Sequence, residues 1–215
     1  IGGILGSSFE NDGTLGALLR WNLGNVDLGF MGGSFHRDRV AGLFLSADLR
    51  GTGVRGELTY TSSGDERDSI IARKCFWRGS AGITRQLTAS LSITSEMAFN
   101  GYGADSSDEY VRWLESDRMM RGEVNGFGRF YWGTSLVQQL HPLVIGTLTS
   151  LVNFTDNSVL VTPTVTWSLS DNSDLLAGGE FSIGEGLQET SGAVLMRSEY
   201  GSVPATIFVA LKVYF

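Results

Sequence analysis

Charged side chains recur at alternate positions of strand-like segments, and they are the residues of this 215-residue chain whose types and spacing could do chemistry. A ring of charges of one sign could select ions in a narrow passage, whereas mixed signs can neutralise one another and stiffen a wall. Both signs flank the tight turn between Asp48 and Glu57, where cross-strand pairs can form. We therefore favour a structural network, with an ion-selecting constriction as the alternative. The charged positions predicted to line one inner face are Arg20, Asp48, Arg50, Arg55, Glu57, Lys74, Arg78, Glu96, Arg129, Glu180 and Lys212.

Histidine, serine and acidic side chains do not converge on a hydrolytic site. We expect His36 and His141 to lie at opposite ends of the fold, so that they cannot act together. A Ser–His dyad at His36 would need a serine and an orienting acid or amide beside it. Ser34 and Asp38 are close in sequence, but nothing else converges there. We predict that the protein is not an enzyme. A hydrolase centred on His36 is kept only as a third alternative, after a channel and a scaffold.

Metal and cofactor signals are poor. A lone Cys75 and two separated histidines give no zinc site. The acidic turns at 10–13 and 171–174 could hold calcium, but tight turns require the same residue types without any ion. We expect no metal and no cofactor. The net charge of −7 disfavours nucleic acid as a partner.

About twelve segments of alternating apolar and polar residues run through the chain and predict β-strands. Most have roughly 9–14 residues, longer than the usual ~5–6 but long enough to cross a bilayer at a tilt. No apolar run of about 18 residues exists, which excludes a transmembrane helix. The segments are at 2–9, 14–23, 26–36, 39–50, 54–63, 71–84, 88–100, 126–140, 143–154, 158–169, 175–185 and 202–215.

The connections between these segments alternate in length. If Phe215 is on the periplasmic side, the turns on that side are all tight, and the three longest connections fall on the other side. Outer-membrane barrels have short periplasmic turns and longer external loops. A soluble β-sandwich gives no reason for such sorting. Within the longest loop, 101–125, the stretch from Ser106 to Met120 predicts a short helix.

The two predicted faces differ in chemistry. One carries large apolar and aromatic side chains, as at Trp21, Trp77 and Trp167, and the other is rich in Gly, Ser and Thr with scattered charges. A soluble sandwich needs a more densely charged solvent face. Mean hydropathy of +0.03 fits a chain in which only every second strand residue meets lipid. A membrane barrel is therefore favoured over a soluble sandwich.

The final strand pattern ends on an aromatic residue. Val209, Leu211, Val213 and Phe215 share one face. An alternating strand with a terminal aromatic resembles the C-terminal assembly signal of bacterial outer-membrane barrels. The chain also opens within a strand-like segment, so a polypeptide that continues upstream, with a larger barrel, stays open as an alternative.

Three stretches, Val161–Asn172, Leu175–Gly178 and Ser198–Pro204, resemble a largely uncharacterised group of porin-like outer-membrane proteins of Gram-negative bacteria. They comprise 23 of the 215 residues, within a span that is about a fifth of the chain. Members of that group are typically longer, with further strands ahead of this region. The resemblance supplies no catalytic residues.

Pattern and resemblance together imply a transmembrane antiparallel up-and-down β-barrel of about 12 strands, with residues 1–215 as a single domain. The expected function is a porin-like channel for passive diffusion of small hydrophilic solutes or ions, with loop 101–125 as gate or plug. The alternative is a scaffold barrel with a closed lumen that binds a partner through its external loops. Expected partners are outer-membrane lipid, lipopolysaccharide and the barrel-assembly machinery, with a homo-oligomer or an envelope partner protein left open. Both termini are expected to be periplasmic.

Overall fold

Antiparallel strands dominate the computed structural model, which describes residues 2–7, 13–64, 73–190 and 193–214. Twelve strands form one sheet, ordered β1 to β11 and then β14, each beside its neighbour in the chain. Over the described residues, the strands are β1 (Gly2–Ser7), β2 (Gly13–Leu23), β3 (Val26–Phe35), β4 (Asp38–Asp48), β5 (Thr52–Ser62), β6 (Cys75–Gln86), β7 (Leu91–Asn100), β8 (Phe130–His141), β9 (Val144–Asn153), β10 (Ser158–Ser170), β11 (Ser173–Ile183), β12 (Leu187–Thr190), β13 (Ala193–Met196) and β14 (Thr206–Val213).

This order confirms the predicted all-β, antiparallel up-and-down fold. Within the described ranges, β1 and β14 form the two edges of the sheet. The strands β12 and β13 make a separate hairpin that the sequence pattern did not predict. The short helix predicted after Ser106 is confirmed as α1 (Tyr110–Leu114) and α2 (Asp117–Met120). Neither of these helices, nor any other helical segment in the described part, is long and apolar enough to cross a membrane.

The register places large apolar side chains beside one another on one face of the sheet, here called the outer face. Leu43 of β4 pairs with Phe30 of β3 and with Leu58 of β5, and Tyr60 pairs with Trp77 of β6. Leu43, Phe30 and Trp77 are 45%, 50% and 50% exposed. No second layer covers these residues among those described, which is unusual for apolar side chains in such number.

The opposite, inner face is lined by glycine, serine, threonine and scattered charges. Its hydroxyls hydrogen-bond across strands, with 3.1 Å between Thr84 and Thr94 and 3.3 Å between Ser135 and Thr149. Small residues leave room for the few large ones: a Cβ on Gly29 would clash with the ring of Phe44 on the next strand. The inner face is therefore polar, and its few large side chains lie beside small residues on the neighbouring strand.

The connections are sorted by length between the two ends of the sheet. At one end, the turn end, they are 24–25, 49–51, 87–90, 142–143 and 171–172. At the other, the loop end, they are 36–37, 63–74, 101–129, 154–157 and 184–205. Residues 8–12, which connect β1 to β2, and residues 65–72 and 191–192 within two of these connections lie outside the described residues. Arg50 and Gly51 have φ of 56° and 77°. Positive φ at both central positions suits the primed turns that join adjacent strands tightly.

The buried apolar cluster lies within the longest loop and not between two sheets. Tyr102, Ala104, Tyr110, Trp113 and Val124 are at most 4% exposed, and they pack with Phe76 of β6. Phe76 is on the inner face, since its neighbour Trp77 is on the outer face. The loop therefore folds against the inner face. It contacts β4 through Asp38, β6 through Phe76 and β9 through Asn153, which fits a wall that curves around it.

Candidate functional site

Most of the charged residues predicted to line the wall share the inner face. Residues directly opposite each other on neighbouring strands lie on the same face of the sheet. Ser46 is opposite Arg55, Arg55 is opposite Gly82 and Gly82 is opposite Glu96, so these positions share one face. Eight residues occupy such positions: Arg20, Asp48, Arg55, Glu57, Arg78, Glu96, Glu180 and Lys212. Three others lie outside the strands, namely Arg50 in a turn, Lys74 before β6 and Arg129 before β8.

The best-defined ion pair on the wall joins Arg55 of β5 to Glu96 of β7. Nε and Nη2 of Arg55 donate to Oε2 of Glu96 at 2.9 Å and 2.6 Å. The pair passes over Gly82 of β6, where a Cβ would lie only 3.2 Å from the Glu96 side chain. The two side chains are 55% and 34% exposed, so the pair contributes little to stability and mainly positions its charges.

The pairing expected within the Asp48–Glu57 hairpin is not what the structure shows. Asp48 accepts a 3.0 Å hydrogen bond from the amide of Gly51 and so caps its own turn. Arg50 has a positive φ in that turn, while Arg55 reaches the neighbouring hairpin. Glu57 lies opposite Phe44 and Ser80. A tight turn with two left-handed residues takes Arg50 out of the alternation, which is why the predicted network does not form within the hairpin.

The other wall charges also come in both signs. Arg20 lies 3.7 Å from Asp27, which accepts a 2.9 Å hydrogen bond from Asn22. Lys212 is opposite Asp174 in the register, and Glu180 is opposite Thr206. No single-sign ring is present on the described part of this face. The arrangement favours a balanced wall over a strong ion filter.

The loop 101–129 is held together by aromatic contacts. The ring centroids of Tyr102 and Phe76 are 5.2 Å apart, and those of Tyr110 and Phe127 are 5.2 Å apart and stacked. The indole of Trp113 donates to the carbonyl of Tyr102 at 3.1 Å. Buried aromatic side chains with satisfied polar atoms are large contributors to packing. The loop is thus a folded insertion with its own core.

Arg118 of α2 anchors one side of this loop to the wall. Its Nη1 lies 2.5 Å from Asp38 of β4 and 3.0 Å from Glu123, and the side chains of Arg118 and Asp38 are only 4% and 5% exposed. The guanidinium also lies 5.2 Å from the ring centre of Phe76. Burial alone lowers the pKa of Arg118, but the hydrogen bond and charge of Asp38 and the charge of Glu123 outweigh it and raise the pKa. Arg118 is therefore a permanently charged buried anchor.

A second anchor, here called the acid cluster, fixes the other side of the loop through the carboxylates of Asp156 and Glu199. Nδ2 of Asn153 donates to Glu199 at 2.9 Å and to Asp156 at 3.0 Å. Tyr110 donates to Asp156 at 2.8 Å and Tyr131 donates to Glu199 at 2.7 Å. Burial and the nearby charge of Asp156 raise the pKa of Glu199, although its hydrogen bonds oppose the shift. This cluster ties the loop to β8, β9 and the 184–205 connection.

Asp105 forms ion pairs at the base of the loop 101–129, where the loop joins the sheet. It lies 2.7 Å from Nη2 of Arg73 and 2.5 Å from Nη1 of Arg129. Arg129 also donates to the carbonyl of Gly103 at 3.2 Å. Arg129, which the sequence predicts to line the wall, lies directly before β8 and holds the point where the loop leaves the sheet.

Three of the four residues of the predicted assembly signal lie on β14. Val209, Leu211 and Val213 are 69%, 60% and 49% exposed on the outer face, and Phe215 lies outside the described residues. Their recognition by an assembly machinery stays a prediction.

The structure gives no support for chemistry at His36. This residue lies in the turn 36–37 with a φ of 48°, and Asp38, two residues further on, forms an ion pair with Arg118. In the part of the chain that the structure describes, no three acidic, cysteine or histidine side chains come together as a metal site. Residues 10–12 of one acidic turn are outside that part.

Comparison with known proteins finds a similarity in structure alone. No family model and no curated protein matches the chain. Its structure is similar to that of the outer membrane channel DcaP of Acinetobacter baumannii, with a TM-score of 0.50 and 9% identity. The chain has a porin-like fold. The match covers 94% of this chain and 63% of that channel, so the chain spans less than two thirds of the solved structure that it resembles.

Proposed function

We propose that this chain forms a transmembrane β-barrel in the bacterial outer membrane and works as a porin-like channel. The solutes would be small and hydrophilic, and they would pass by diffusion. The observation that carries the proposal is the contrast between the two faces of one sheet. An uncovered apolar outer face suits lipid, and a polar inner face that receives a folded loop suits a water-filled interior.

The loop 101–129 would set the width of the passage. It lies against the inner face and is anchored on opposite sides by Arg118 and by Glu199. Towards the turn end, the wall carries the solvated ion pair Arg55–Glu96. It also carries the pair Arg20–Asp27, whose charged groups are further apart. Because both signs alternate there, we expect weak ion selectivity and a dependence on solute size.

In this proposal the turn end faces the periplasm, with both termini, and the loop end faces outward among lipopolysaccharide. The outer face of β14, including Val209 and Leu211, would be recognised by the barrel-assembly machinery. A single domain over residues 1–215 is part of the same proposal.

A scaffold barrel is the second candidate, and one observation favours it. The two anchors of the loop are largely buried, and a loop held so firmly could close the lumen. In that case the exposed loop-end surface would bind a partner in the envelope.

Planar-bilayer recording separates the two functions. We expect discrete conductance steps from the purified, refolded protein, and larger steps when residues 106–124 are replaced by a short glycine-serine linker. Liposome flotation controls for insertion. Silence of both proteins after verified insertion would overturn the channel, and silence of the wild type with conductance of the shortened variant would support a plugged barrel.

A further inference from the structure

A cavity of about 290 Å³ lies between the inner face of β3 to β6 and helix α2 of the loop. Met31, Phe35 and Val40 contribute apolar lining, and His36, Thr61 and Arg78 contribute polar lining. A water molecule occupies about 30 Å³ in the liquid. The space is therefore too large for one bridging water and suits a small organic molecule.

Two buried polar atoms of residues that line this cavity have no hydrogen-bond partner among the residues that the structure describes. They are Oγ1 of Thr61 and Nε of Arg78. Thr61 is only 1% exposed. Arg78 uses Nη1 to donate to the carbonyl of Glu123 at 2.8 Å, which leaves Nε as an unused donor. Buried polar groups in folded proteins are nearly always paired, so the two atoms indicate a missing partner.

The charges around the cavity indicate that this partner is neutral. Arg78 and Arg118 contribute two positive charges, and Asp38 and Glu123 contribute two negative ones. An anion would meet both carboxylates, and a cation would meet both guanidinium groups. A hydroxyl can accept from Nε of Arg78 and can also donate to, or accept from, Oγ1 of Thr61.

We propose that this cavity binds a small neutral polyhydroxylated solute, a sugar or polyol. One hydroxyl pairs with Arg78 and Thr61, and the carbon skeleton packs on Phe35 and Met31. The site rests on the proposed function, because it places a solute on the inner wall beside the loop that narrows the passage. It deepens that function by naming a class of solute.

Three probes of nearly equal size test the proposal. D-glucose is neutral, gluconate carries a carboxylate and glucosamine carries an ammonium group. Binding to the whole protein in detergent micelles is measured by isothermal titration calorimetry at millimolar probe. We expect glucose to bind more tightly than either charged probe. Tighter binding of gluconate or of glucosamine would overturn the neutral assignment.

Thr61→Val keeps the shape of the side chain and removes the unpaired hydroxyl. We expect glucose binding to weaken about fivefold to tenfold, as for loss of one hydrogen bond, while the thermal midpoint without sugar rises. Arg78→Lys keeps the charge, removes the Nε donor and should also weaken binding. Thr162→Val, on the inner face opposite Thr149, is the matched control and should bind as wild type. Unchanged glucose binding by Thr61→Val would overturn the proposal.

Bilayer recording on the same preparations keeps the two proposals apart. A protein that conducts but shows no saturable glucose binding overturns the sugar site and leaves the channel. A protein that binds glucose through Thr61 but does not conduct supports the site and overturns the channel.

Discussion

Arg118→Met should release the loop 101–129 from the wall. Arg118 and Asp38 are 4% and 5% exposed, and removal of one partner of such a buried pair costs about 3–5 kcal/mol, because the other charge stays buried. Since about 1.4 kcal/mol is a factor of ten, the ratio of docked to undocked loop should fall roughly a hundredfold to a few thousandfold. The methionine keeps most of the apolar length of the side chain, so the change tests charge more than volume.

Hydrogen exchange read by mass spectrometry measures this opening directly. Amides of residues 106–124 should lose protection by the same factor, while amides of β2 and β3 should not change. Arg197→Met is the matched control, since Arg197 pairs with Asp108 at 2.9 Å but the side chains are 34% and 72% exposed. Such surface pairs contribute less than about 1 kcal/mol.

Asp38→Asn in the Arg118→Met background gives a further check. The second substitution removes the carboxylate that the first leaves unpaired, so protection of the loop should partly return. Equal protection of the loop in Arg118→Met and Arg197→Met would refute the reasoning, because the buried pair would then not hold the loop.

Three further predictions concern the acid cluster, the outer face and the wall charges. Because the pKa of Glu199 is raised in the folded protein, the stability it contributes is fully present below its ordinary pKa and is lost as pH rises through the folded pKa. Glu199→Gln should remove that fall, read by urea titrations at several pH values, and an identical pH profile would contradict it. Leu43→Lys at the centre of β4 should destabilise the protein in liposomes by about 2–4 kcal/mol, whereas Phe44→Lys on the inner face should not carry this lipid penalty; equal losses would contradict the assignment of faces. Glu96→Gln should leave Arg55 unpaired and shift the reversal potential in a salt gradient towards anions, and an unchanged potential would show that the pair lies off the ion path.

Much of the fold follows from the sequence because a period of two is a local signal. The alternation through Leu43 and Phe44 is enough to assign faces, and the register of every neighbouring strand agrees with it. The predicted start of β8 at 126 was too early. Gly126–Phe127–Gly128 continues the alternation, but Gly126 has a φ of 108° and Phe127 stacks on Tyr110 in the loop. The hairpin of β12 and β13 was missed because its four-residue strands are too short to show a period.

The site was less predictable, because its contacts join residues far apart in the chain. Phase alone places Arg55 and Glu96 on one face, but their pairing depends on Gly82 of the strand between them. The anchors Arg118 and Glu199 have no periodic signal, since they lie in loops that must first fold. Asp38 gave a local signal for an anchor, because the alternation places this acidic residue on the inner face at the loop end of β4.

The central claim is that lipid covers the outer face, and a nitroxide scan of β4 tests it most directly. Single cysteines at positions 40–48, in a Cys75→Ser background, are spin-labelled and reconstituted in liposomes. Labels at odd positions such as Leu43 should be accessible to oxygen and shielded from a water-soluble nickel chelate, with the pattern reversed at even positions such as Phe44. Odd positions that the nickel chelate reaches as readily as even ones would contradict a membrane-facing sheet, and with it the channel.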